Sequence, residues 1–380
     1  MKITLVMDQY GSTNNGTTVT AMRLCETLKK HGHTVRVITG SKVDGEDVFV
    51  VKQYHIPLFQ NLIESQGMIF ARPEPETIKK AIEGSDVVHF LMPFRLQKKT
   101  KKIADELGIP TTAAFHVQPE NITSTLYLNK SKVVNDLIYS SFLKHFYRKF
   151  NHIHCPSNMI KKQLEEHNYQ AKLHVISNGV SDDFKPIEIE KPILYKDKII
   201  IVMVGRYSRE KRQDLIIDAV KKSKYEKNIQ LFLIGKGPMK DSLVKQGAGL
   251  TNPIVFQYVD QQNLLKILNY SDLYVHASDV EIEAISCIEA FSCGLVPIIS
   301  NNELCATKQF ALSEYNLFEH GDSTSLKDKI DFLIENKFIR DELSKKYIDY
   351  ASQFKLDNCV KEIEKMFEEA IEEKKNEKTN

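Results

Sequence analysis

Two short segments in the second half of the sequence bring charged side chains together with small residues. The first, residues 204–212, carries Arg206 and Lys211 in a turn that follows an apolar run of strand length. Two cations at a strand end and a helix entrance can neutralise a diphosphate, because both donate charge-assisted hydrogen bonds to phosphate oxygens. A merely solvated basic turn has the same composition, so this segment alone leaves both interpretations open.

The second segment places Glu281 and Glu289 eight residues apart after another apolar run. We expect a helix that starts just after Glu281, with its free amides facing an anion and Glu289 pointing back to the same site. A carboxylate can accept two hydrogen bonds from a vicinal diol, which suits sugar hydroxyls. Glutamates at this spacing are also common on solvated helices, but Glu289 has apolar neighbours, and a buried carboxylate needs hydrogen-bond partners.

Two further candidates lie in the first half of the chain. The glycine-containing loop of residues 10–18 leads into a predicted helix, where backbone amides can receive a phosphate or a sugar. It lacks the glycine spacing of dinucleotide folds and the lysine of a P-loop, so an ordinary loop is an equal alternative. His116 follows a predicted strand, a position that favours a functional role over that of a structural histidine.

The elements that must position these residues alternate regularly. Short apolar runs are interleaved with segments of helical periodicity, which is typical of parallel sheets covered by helices, and ligands of such sheets bind beyond the carboxyl ends of the strands. Helices are predicted over 18–31 and 75–83, each closed by a glycine. The predicted strands are 3–7, 34–39, 87–91, 111–115, 152–155, 173–176, 199–205, 229–234, 254–258, 273–276 and 296–300.

A charged stretch with two prolines, residues 185–192, separates two repeats of this pattern and indicates a linker. We therefore expect an α/β protein with an N-terminal domain of residues 1–185 and a second domain of residues 186–356. From about 357 to 380, apolar residues recur at helical spacing among Glu and Lys. This amphipathic helix needs a partner surface, and we assign it to the N-terminal domain.

Composition excludes several classes of protein. A length of 380 residues suits two domains, and 52 Lys and Arg against 50 Asp and Glu give a net charge of +2, unlike a dedicated nucleic-acid binder. The six cysteines include no Cys-x2-Cys pair, which argues against a zinc site or a disulfide framework. We see neither a signal peptide nor the roughly 20 apolar residues of a spanning helix. A cytoplasmic protein, at most peripheral on the inner face of the membrane, is expected.

Four motifs in the predicted loops are similar to those of one enzyme family. Residues 281–297 resemble its Glu-x7-Glu segment and the Ala, Gly and Pro that continue it, with the proline one place later. Residues 205–211, Gly-Arg-Tyr-Ser-x-x-Lys, are similar to its diphosphate motif. Residues 233–238, Leu-Ile-Gly-Lys-Gly-Pro, look like its nucleotide loop, and 177–180, Ser-Asn-Gly-Val, like its segment before the linker. In these motifs the chain resembles retaining glycosyltransferases of the GT-B fold, specifically glycosyltransferase family 4, over nearly its whole length.

The resemblance implies two Rossmann-like domains that face each other across a cleft, and a metal-independent hexosyltransferase that needs no cofactor beyond its nucleotide-sugar donor. Arg206 and Lys211 would hold the leaving diphosphate and Glu281 the hydroxyls of the transferred hexose. Glu289 would hold the ribose hydroxyls, and His116 would contact the sugar near the reacting carbon. The implied catalytic residues are His116, Arg206, Lys211 and Glu281. The implied donor site comprises Gly16, Arg206, Lys211, Gly235, Gly237, Glu281, Ile285 and Glu289, with no metal.

Two departures from the family pattern concern the donor sugar more than the reaction. Glu283 and Ala284 stand where the family usually has Phe-Gly, and Asn15-Gly16 replaces a paired glycine. We expect a hexose from UDP-glucose or UDP-galactose to pass to a membrane lipid such as diacylglycerol, with retention of the anomeric configuration. A capsule, teichoic-acid or other cell-surface saccharide is the alternative acceptor.

Three other hypotheses remain. Residues 279–281, Asp-Val-Glu, resemble the acidic metal motif of the other major glycosyltransferase fold, but a metal is unnecessary if Arg206 and Lys211 neutralise the diphosphate. A nicotinamide-dependent oxidoreductase would need a glycine fingerprint that the first strand lacks. A non-catalytic relative that binds a nucleotide sugar or a lipid would not need both cations and both glutamates.

A basic segment offers a possible membrane surface. Between residues 95 and 149 ten basic residues stand against four acidic ones, a net charge of +6. Within 126–150 a stripe at i, i+4 spacing lies beside Lys144 and Arg148 and predicts a cationic amphipathic helix; its members are Val134, Ile138, Phe142, Phe146 and Phe150. Such a helix either packs on the core with a solvated back or rests on anionic lipid.

Overall fold

The computed structural model describes residues 1–11, 16–55, 69–124 and 131–379. The chain forms two compact units, one of Met1–Gly179 with Leu356–Asn380 and one of Val180–Lys355. The boundary expected at residue 185 therefore falls inside the second unit, because the chain from Val180 onward already packs there: Val180 and Phe184 belong to the core of that unit.

The first unit is built on a seven-stranded parallel sheet in the order β3-β2-β1-β4-β5-β6-β7. Its strands are β1 Lys2–Val6, β2 Thr34–Thr39, β3 Val48–Val50, β4 Val87–Phe90, β5 Thr111–Ala114, β6 His152–Cys155 and β7 Lys172–Val175. Its helices are α1 Gly16–Lys30, α2 Pro75–Ile82, α3 Arg95–Glu106, α4 Pro119–Ser124, α5 Lys132–His145, α6 Asn158–Glu166 and the C-terminal α13 Leu356–Thr379.

The second unit repeats this plan with six parallel strands in the order β10-β9-β8-β11-β12-β13. Its strands are β8 Ile199–Val204, β9 Ile229–Ile234, β10 Val255–Gln257, β11 Leu273–His276, β12 Val296–Asn301 and β13 Leu317–Glu319. Its helices are α7 Gln213–Lys222, α8 Lys240–Gly247, α9 Gln261–Tyr270, α10 Ile285–Ser292, α11 Ser323–Glu335 and α12 Lys337–Ala351. The predicted pair of Rossmann-like parallel-sheet domains is thereby confirmed.

The C-terminal helix α13 packs on the first unit, although the chain that precedes it belongs to the second. Its apolar stripe, with Val360, Ile363 and Phe367 each at most 3% exposed, lies in one core cluster with β1 and α1. A buried side chain of this size stabilises the fold by about 1.5–3 kcal/mol, which explains why the helix needs this partner. At its start, His31 of the α1–β2 turn contacts Asp357 and Glu364, with 2.7 Å between the closest atoms in each pair.

The two chain crossings between the units run side by side. The amide of Val180 donates to the carbonyl of Phe354 over 2.8 Å, and Val180 pairs with Lys355 in a short parallel bridge. Gly179 has a φ of +74°, and a Cβ there would lie 2.7 Å from the Cα of Leu356. Only glycine fits this position, because any other residue would be strained and would collide with the returning chain.

The amphipathic helix predicted for residues 126–150 is shorter in the structure, where it covers Lys132–His145. Residues 125–130 lie outside the described part of the chain, and α5 ends at His145 because Phe146 leaves the helical conformation, with φ −144° and ψ −69°. Phe146 and Phe150 then pack on Phe90 in the core, at ring distances of 6.0 and 5.5 Å. The expected stripe therefore does not form one continuous face.

The two faces of α5 also differ from the prediction. Its buried residues are Asn135 and Tyr139, whereas Val133 and Leu137 are 71% and 65% exposed. Tyr139 sets the inward face because its ring stacks on His167 and its hydroxyl donates to Gln163 over 2.8 Å.

Among the described helices, none combines the length and the apolar content that crossing a membrane requires.

Candidate active site

The loops that carry the predicted cations and Glu281 lie at one edge of the sheet of the second unit. β8 and β11 are neighbours, although β9 and β10 lie between them in sequence, so the strand order reverses direction at this pair. Ligands of open parallel sheets bind at such a reversal, outside the carboxyl ends of the strands. The loop after β8 carries Arg206 and Lys211, and the loop after β11 carries Glu281. The sheet order therefore places both loops where a ligand would bind.

Lys211 and Glu281 form an ion pair across these two loops. The Nζ atom of Lys211 donates to Oε1 and Oε2 of Glu281 over 2.8 and 2.6 Å, and the two side chains are 19% and 15% exposed. Burial lowers the pKa of the Lys211 ammonium, but the attraction and hydrogen bonds of Glu281 outweigh it, so this pKa is raised. Lys211 is therefore a fixed cation at neutral pH, held at the predicted diphosphate position.

The turn that carries Lys211 is shaped by its neighbours. Lys211 ends a short 3-10 turn, Arg209–Lys211, and Arg212 after it adopts a left-handed conformation with φ 55° before α7 begins. The stem of Lys211 passes over Gly205, because a Cβ on that glycine would lie 3.7 Å from the Cδ of Lys211. Arg206 is half-buried, and burial lowers the pKa of its guanidinium. A merely solvated basic turn does not describe these two side chains.

The helix that carries Glu289 begins later than expected. α10 starts at Ile285, because Ala284 has a left-handed conformation with φ 66°, and Glu281 instead pairs with Cys305 in a short parallel bridge. Glu281 is therefore presented from a loop and not from the first turn of a helix. Glu289 is 6% exposed, so it is a buried carboxylate as the sequence indicated, and half-buried Ile285 is the first helical residue.

Two glycines allow the loop after β9 to contact the loop after β8. Gly235 has a φ of +154°, and a Cβ there would lie 2.0 Å from the carbonyl oxygen of Gly205. A Cβ on Gly237 would lie 2.4 Å from the carbonyl oxygen of Tyr207. The amide of Tyr207 donates to the carbonyl of Lys236 over 3.1 Å, which holds the two loops together. Both predicted glycines thus position the turn that carries Arg206.

Three polar groups near this ion pair were not predicted as part of the site. Arg212 donates to Asp279 over 3.2 Å, and the amide of Asp279 donates to the carbonyl of Glu210 over 2.7 Å, which fixes the loop after β11 to the turn after β8. His276 has its Nε2 atom 3.8 Å from Oε1 of Glu281, and burial lowers the pKa of its imidazole to about 4. For these two residues the sequence signal is their position: His276 ends β11, and Asp279 lies in the loop after it.

In the first unit, His116 follows β5 and is 7% exposed. Its ring lies 5.4 Å from that of His154, and His89 is also buried nearby in this sheet. Burial, followed by the effects of His154 and His89, lowers the pKa of His116 well below its ordinary value. The imidazole is therefore uncharged at neutral pH. It can donate a hydrogen bond to a hydroxyl or accept one from it, but it cannot act as a cation.

The strand order of the first sheet reverses at β1 and β4, and the predicted loop of residues 10–18 follows β1. Gly16 begins α1 and is exposed, whereas residues 12–15 of this loop lie outside the described part of the chain.

Asp8, which was not predicted as a site residue, is buried after the end of β1 and accepts hydrogen bonds from the amide of Ala71 and from Gln97. Burial raises the pKa of Asp8 to about 6, although these bonds oppose it.

Comparison with known proteins agrees with this architecture. The family model described as Glycosyltransferase Family 4 matches residues 14–184, and that described as Glycosyl transferases group 1 matches residues 184–354. An alpha-monoglucosyldiacylglycerol synthase of Streptococcus pneumoniae is 22% identical, with 83% of this chain and 75% of the relative covered. A GDP-mannose-dependent alpha-mannosyltransferase of Corynebacterium glutamicum is 23% identical, with 87% and 78% covered.

A solved structure shows the same fold. The structure of Anabaena HepE in complex with UDP has a TM-score of 0.74 and is 16% identical, with 97% of this chain and 100% of HepE covered. At this level of identity the likeness concerns the fold alone, and it confirms the predicted GT-B architecture.

Proposed function

From the premise that this chain belongs to glycosyltransferase family 4 and has the GT-B fold, we propose that it transfers a hexose from a UDP-sugar to a membrane lipid, with retention of the anomeric configuration. The observation that carries the proposal is the Lys211–Glu281 ion pair at the strand reversal of the second sheet. It sets a partly buried cation beside a carboxylate that can accept hydrogen bonds from hydroxyls, an arrangement that suits a sugar joined to a diphosphate.

The proposed chemistry places most of the stabilisation on the leaving group. When the bond between the sugar carbon and the phosphate oxygen breaks, the electron pair leaves with UDP. The acceptor oxygen forms the new glycosidic bond, and its proton passes to a phosphate oxygen of the departing UDP. Lys211 and Arg206 would offset the developing charge, since fixed charges aimed at the leaving group supply the main catalytic effect in such reactions. An ammonium has three N–H donors, so Lys211 can bind phosphate while Glu281 remains its partner.

The other predicted residues would orient the donor. Glu281 would accept hydrogen bonds from hydroxyls of the hexose, and Glu289, because it is buried, from those of the ribose. The neutral imidazole of His116 would bind a hydroxyl of the transferred sugar. The backbone at Gly16, Gly235 and Gly237 would approach the donor.

A metal-independent reaction is part of the proposal. Each carboxylate of the segment that resembles a metal motif has a cationic partner within the protein: Asp279 pairs with Arg212, and Glu281 pairs with Lys211. A divalent ion at this place would have to compete with both cations, which would also repel it. The pairing therefore favours neutralisation of the diphosphate by protein side chains.

The lipid acceptor is supported by one relative and by the surface of the first unit. The relative from S. pneumoniae is named as an alpha-monoglucosyldiacylglycerol synthase, so its product is a glycolipid. On this chain, exposed Val133 and Leu137 lie on the same helix as exposed Lys132 and Lys144. Such a surface suits an anionic bilayer, where each cation near the lipid contributes about 1 kcal/mol.

A second cationic group lies on and near α3. Burial lowers the pKa of Lys98, and so do Lys149 and Arg95, which shows that these three cations lie close enough to repel one another. Like charges gathered on a protein surface attract an oppositely charged one. We therefore propose that the first unit meets the inner, anionic face of the cell membrane.

The test is a transfer assay with labelled donors. UDP-glucose, UDP-galactose and GDP-mannose would each be offered with vesicles that contain diacylglycerol, a glucosyldiacylglycerol or a sterol, and separately with cell-wall saccharides. Label that enters the organic phase only with a UDP-hexose would support the proposal, and NMR of the product would report the anomer. Label found only in saccharide would favour the alternative acceptor. Binding of UDP-sugar without turnover under all conditions would favour a non-catalytic relative.

A further inference from the structure

Two histidines and two glutamates cluster at the edge of the first sheet, where α13 packs on it. His152 is the first residue of β6, and His174 lies on the edge strand β7. Glu369 and Glu373 stand one turn apart on α13. None of these residues has a part in the proposed sugar transfer, and the Cys-x2-Cys pattern used above to judge zinc sites cannot detect such a set.

Three ligand atoms in this cluster surround a common point. Nδ1 of His152 lies 2.9 Å from Nε2 of His174, and these two atoms lie 3.8 and 3.9 Å from Oε2 of Glu369. A tetrahedral ion with bonds of about 2.0–2.1 Å separates its ligand atoms by about 3.3 Å. The three distances bracket that value, so an ion fits between the atoms after small side-chain movements.

The fourth residue occupies the position of a supporting carboxylate. Nε2 of His152 is buried and has no hydrogen-bond partner in the described residues, although Oε2 of Glu373 lies 2.9 Å from it. A metal-binding histidine nearly always presents its other ring nitrogen to a carboxylate or a carbonyl, which fixes the tautomer. Binding of an ion at Nδ1 would hold the proton on Nε2, where Glu373 can accept it.

We propose that His152, His174 and Glu369 form a binding site for a divalent transition-metal ion of the Zn²⁺ type, with Glu373 as the carboxylate that orients His152. Two imidazoles and one carboxylate favour zinc over magnesium or calcium, which prefer oxygen ligands. Because its ligands come from β6, β7 and α13, the ion would fasten the C-terminal helix to the sheet edge. Its role would be structural.

Two neighbouring features affect binding in opposite directions. The ring nitrogens Nδ1 of His152 and Nε2 of His174 already face each other over 2.9 Å, so little rearrangement is needed for both to bind one ion. Lys172 donates to Oε2 of Glu369 over 2.6 Å and would repel a cation. The side chain of Lys172 is 59% exposed, so it can turn into solvent when an ion binds.

The experiment measures metal binding to the full-length protein after treatment with a chelator. Calorimetric titration with ZnCl₂ should show one site, and Co²⁺ should give the visible absorption of a four-coordinate ion. We expect His174→Gln and Glu369→Gln each to weaken Zn²⁺ binding at least 10-fold, since a lost ligand removes a bond to the ion. Lys172→Gln should instead strengthen binding several-fold.

A matched control is a second contact between a histidine and a glutamate of α13, the contact of His33 with Glu364. Nε2 of His33 lies 3.0 Å from Glu364, yet His33→Gln should leave the Zn²⁺ affinity unchanged. Loss of binding in His33→Gln but not in His174→Gln would overturn the proposal, as would the absence of binding by the parent protein. Glu369 is 42% exposed, so Glu369→Gln keeps the test valid if His174→Gln fails to fold. UDP-sugar turnover is measured in parallel, because an intact turnover without Zn²⁺ binding would refute this site and leave the proposed function standing.

Discussion

Replacement of Lys211 by methionine tests the proposed diphosphate site. Methionine keeps the length of the stem that crosses Gly205 but removes the charge. Loss of one preorganised donor to a developing charge costs about 10²–10³-fold in turnover, or about 3–4 kcal/mol. The change also leaves Glu281, 15% exposed, without its cation. Breaking a fully buried pair costs about 3–5 kcal/mol of unfolding free energy, and we expect a smaller loss at this partly exposed site.

The double variant Lys211→Met with Glu281→Gln separates these two effects. It removes the unpaired carboxylate, so the free energy of unfolding, measured by urea denaturation, should recover towards that of the parent. If Lys211 acts on the diphosphate, turnover of UDP-sugar should remain at least 100-fold lower. Recovery of near-parent turnover in the double variant would refute the proposed role and show that Lys211 serves only to neutralise Glu281. Arg209→Ala, an exposed arginine of the same turn, is the matched control and should keep normal turnover.

Four further outcomes are expected. Gly235→Ala should lower the free energy of unfolding, measured in urea, by about 3 kcal/mol or more, because its Cβ would collide with the carbonyl of Gly205. Gly249→Ala is the control: its Cβ would meet open space, and its φ of +95° should cost only about 1–2 kcal/mol. Equal losses in the two variants would contradict this. Chelator should leave UDP-sugar turnover unchanged even if it lowers the melting temperature through the proposed zinc site, and a sharp loss of turnover would restore the metal hypothesis. The pKa of His31 is raised from its ordinary 6.5, first by the hydrogen bond to Asp357 and against the effect of burial. Its stabilising effect is therefore complete below that pH and is lost as the pH rises through the folded pKa. The advantage over His31→Gln, about 1 kcal/mol or less, should shrink as the pH is raised above 6.5 in thermal melts, and an advantage that grows would contradict this. Leu137→Asp should reduce sedimentation with anionic vesicles, and equal binding of the parent to neutral and anionic vesicles at low salt would dismiss the electrostatic surface.

Much of the sheet architecture could be predicted from sequence because buried parallel strands are continuous apolar runs. Residues 34–39, 152–155, 229–234 and 273–276 were predicted as strands and form them with the same bounds. β3 and β13, each of three residues at a sheet edge, were missed, whereas β10, equally short and also at an edge, was predicted within 254–258.

The local backbone at two sites could not be predicted. A left-handed alanine at 284 delays α10, and Phe146 ends α5 without a glycine or proline. Both result from tertiary packing that overrides local preference. The Phe146 ring, for example, is buried against Phe90 and could not pack there as part of a continuous helix on the surface.

The candidate site was predictable in its residue types but not in its pairings. Arg206, Lys211 and Glu281 lie in loops that follow strands of one sheet, and Glu289 lies on helix α10 after one of these loops, as expected. The ion pair of Lys211 with Glu281 was not predicted, because it depends on β11 lying next to β8 after two intervening strands. The cluster of His152 with Glu369 joins residues still farther apart in sequence, which no local pattern reveals.

The paired crossings at Val180 and Phe354 make the second unit an insertion within the first, and this has a consequence for synthesis on the ribosome. β1, which is translated before the second unit, shares its core with α13, which is translated after that unit. All strands of the inserted unit are synthesised before α13 leaves the ribosome. The inserted unit can therefore fold while the surrounding unit still exposes the apolar surface of α1 and β1. A chain stopped before Leu356 would leave that surface bare and should be a target for chaperones and proteases.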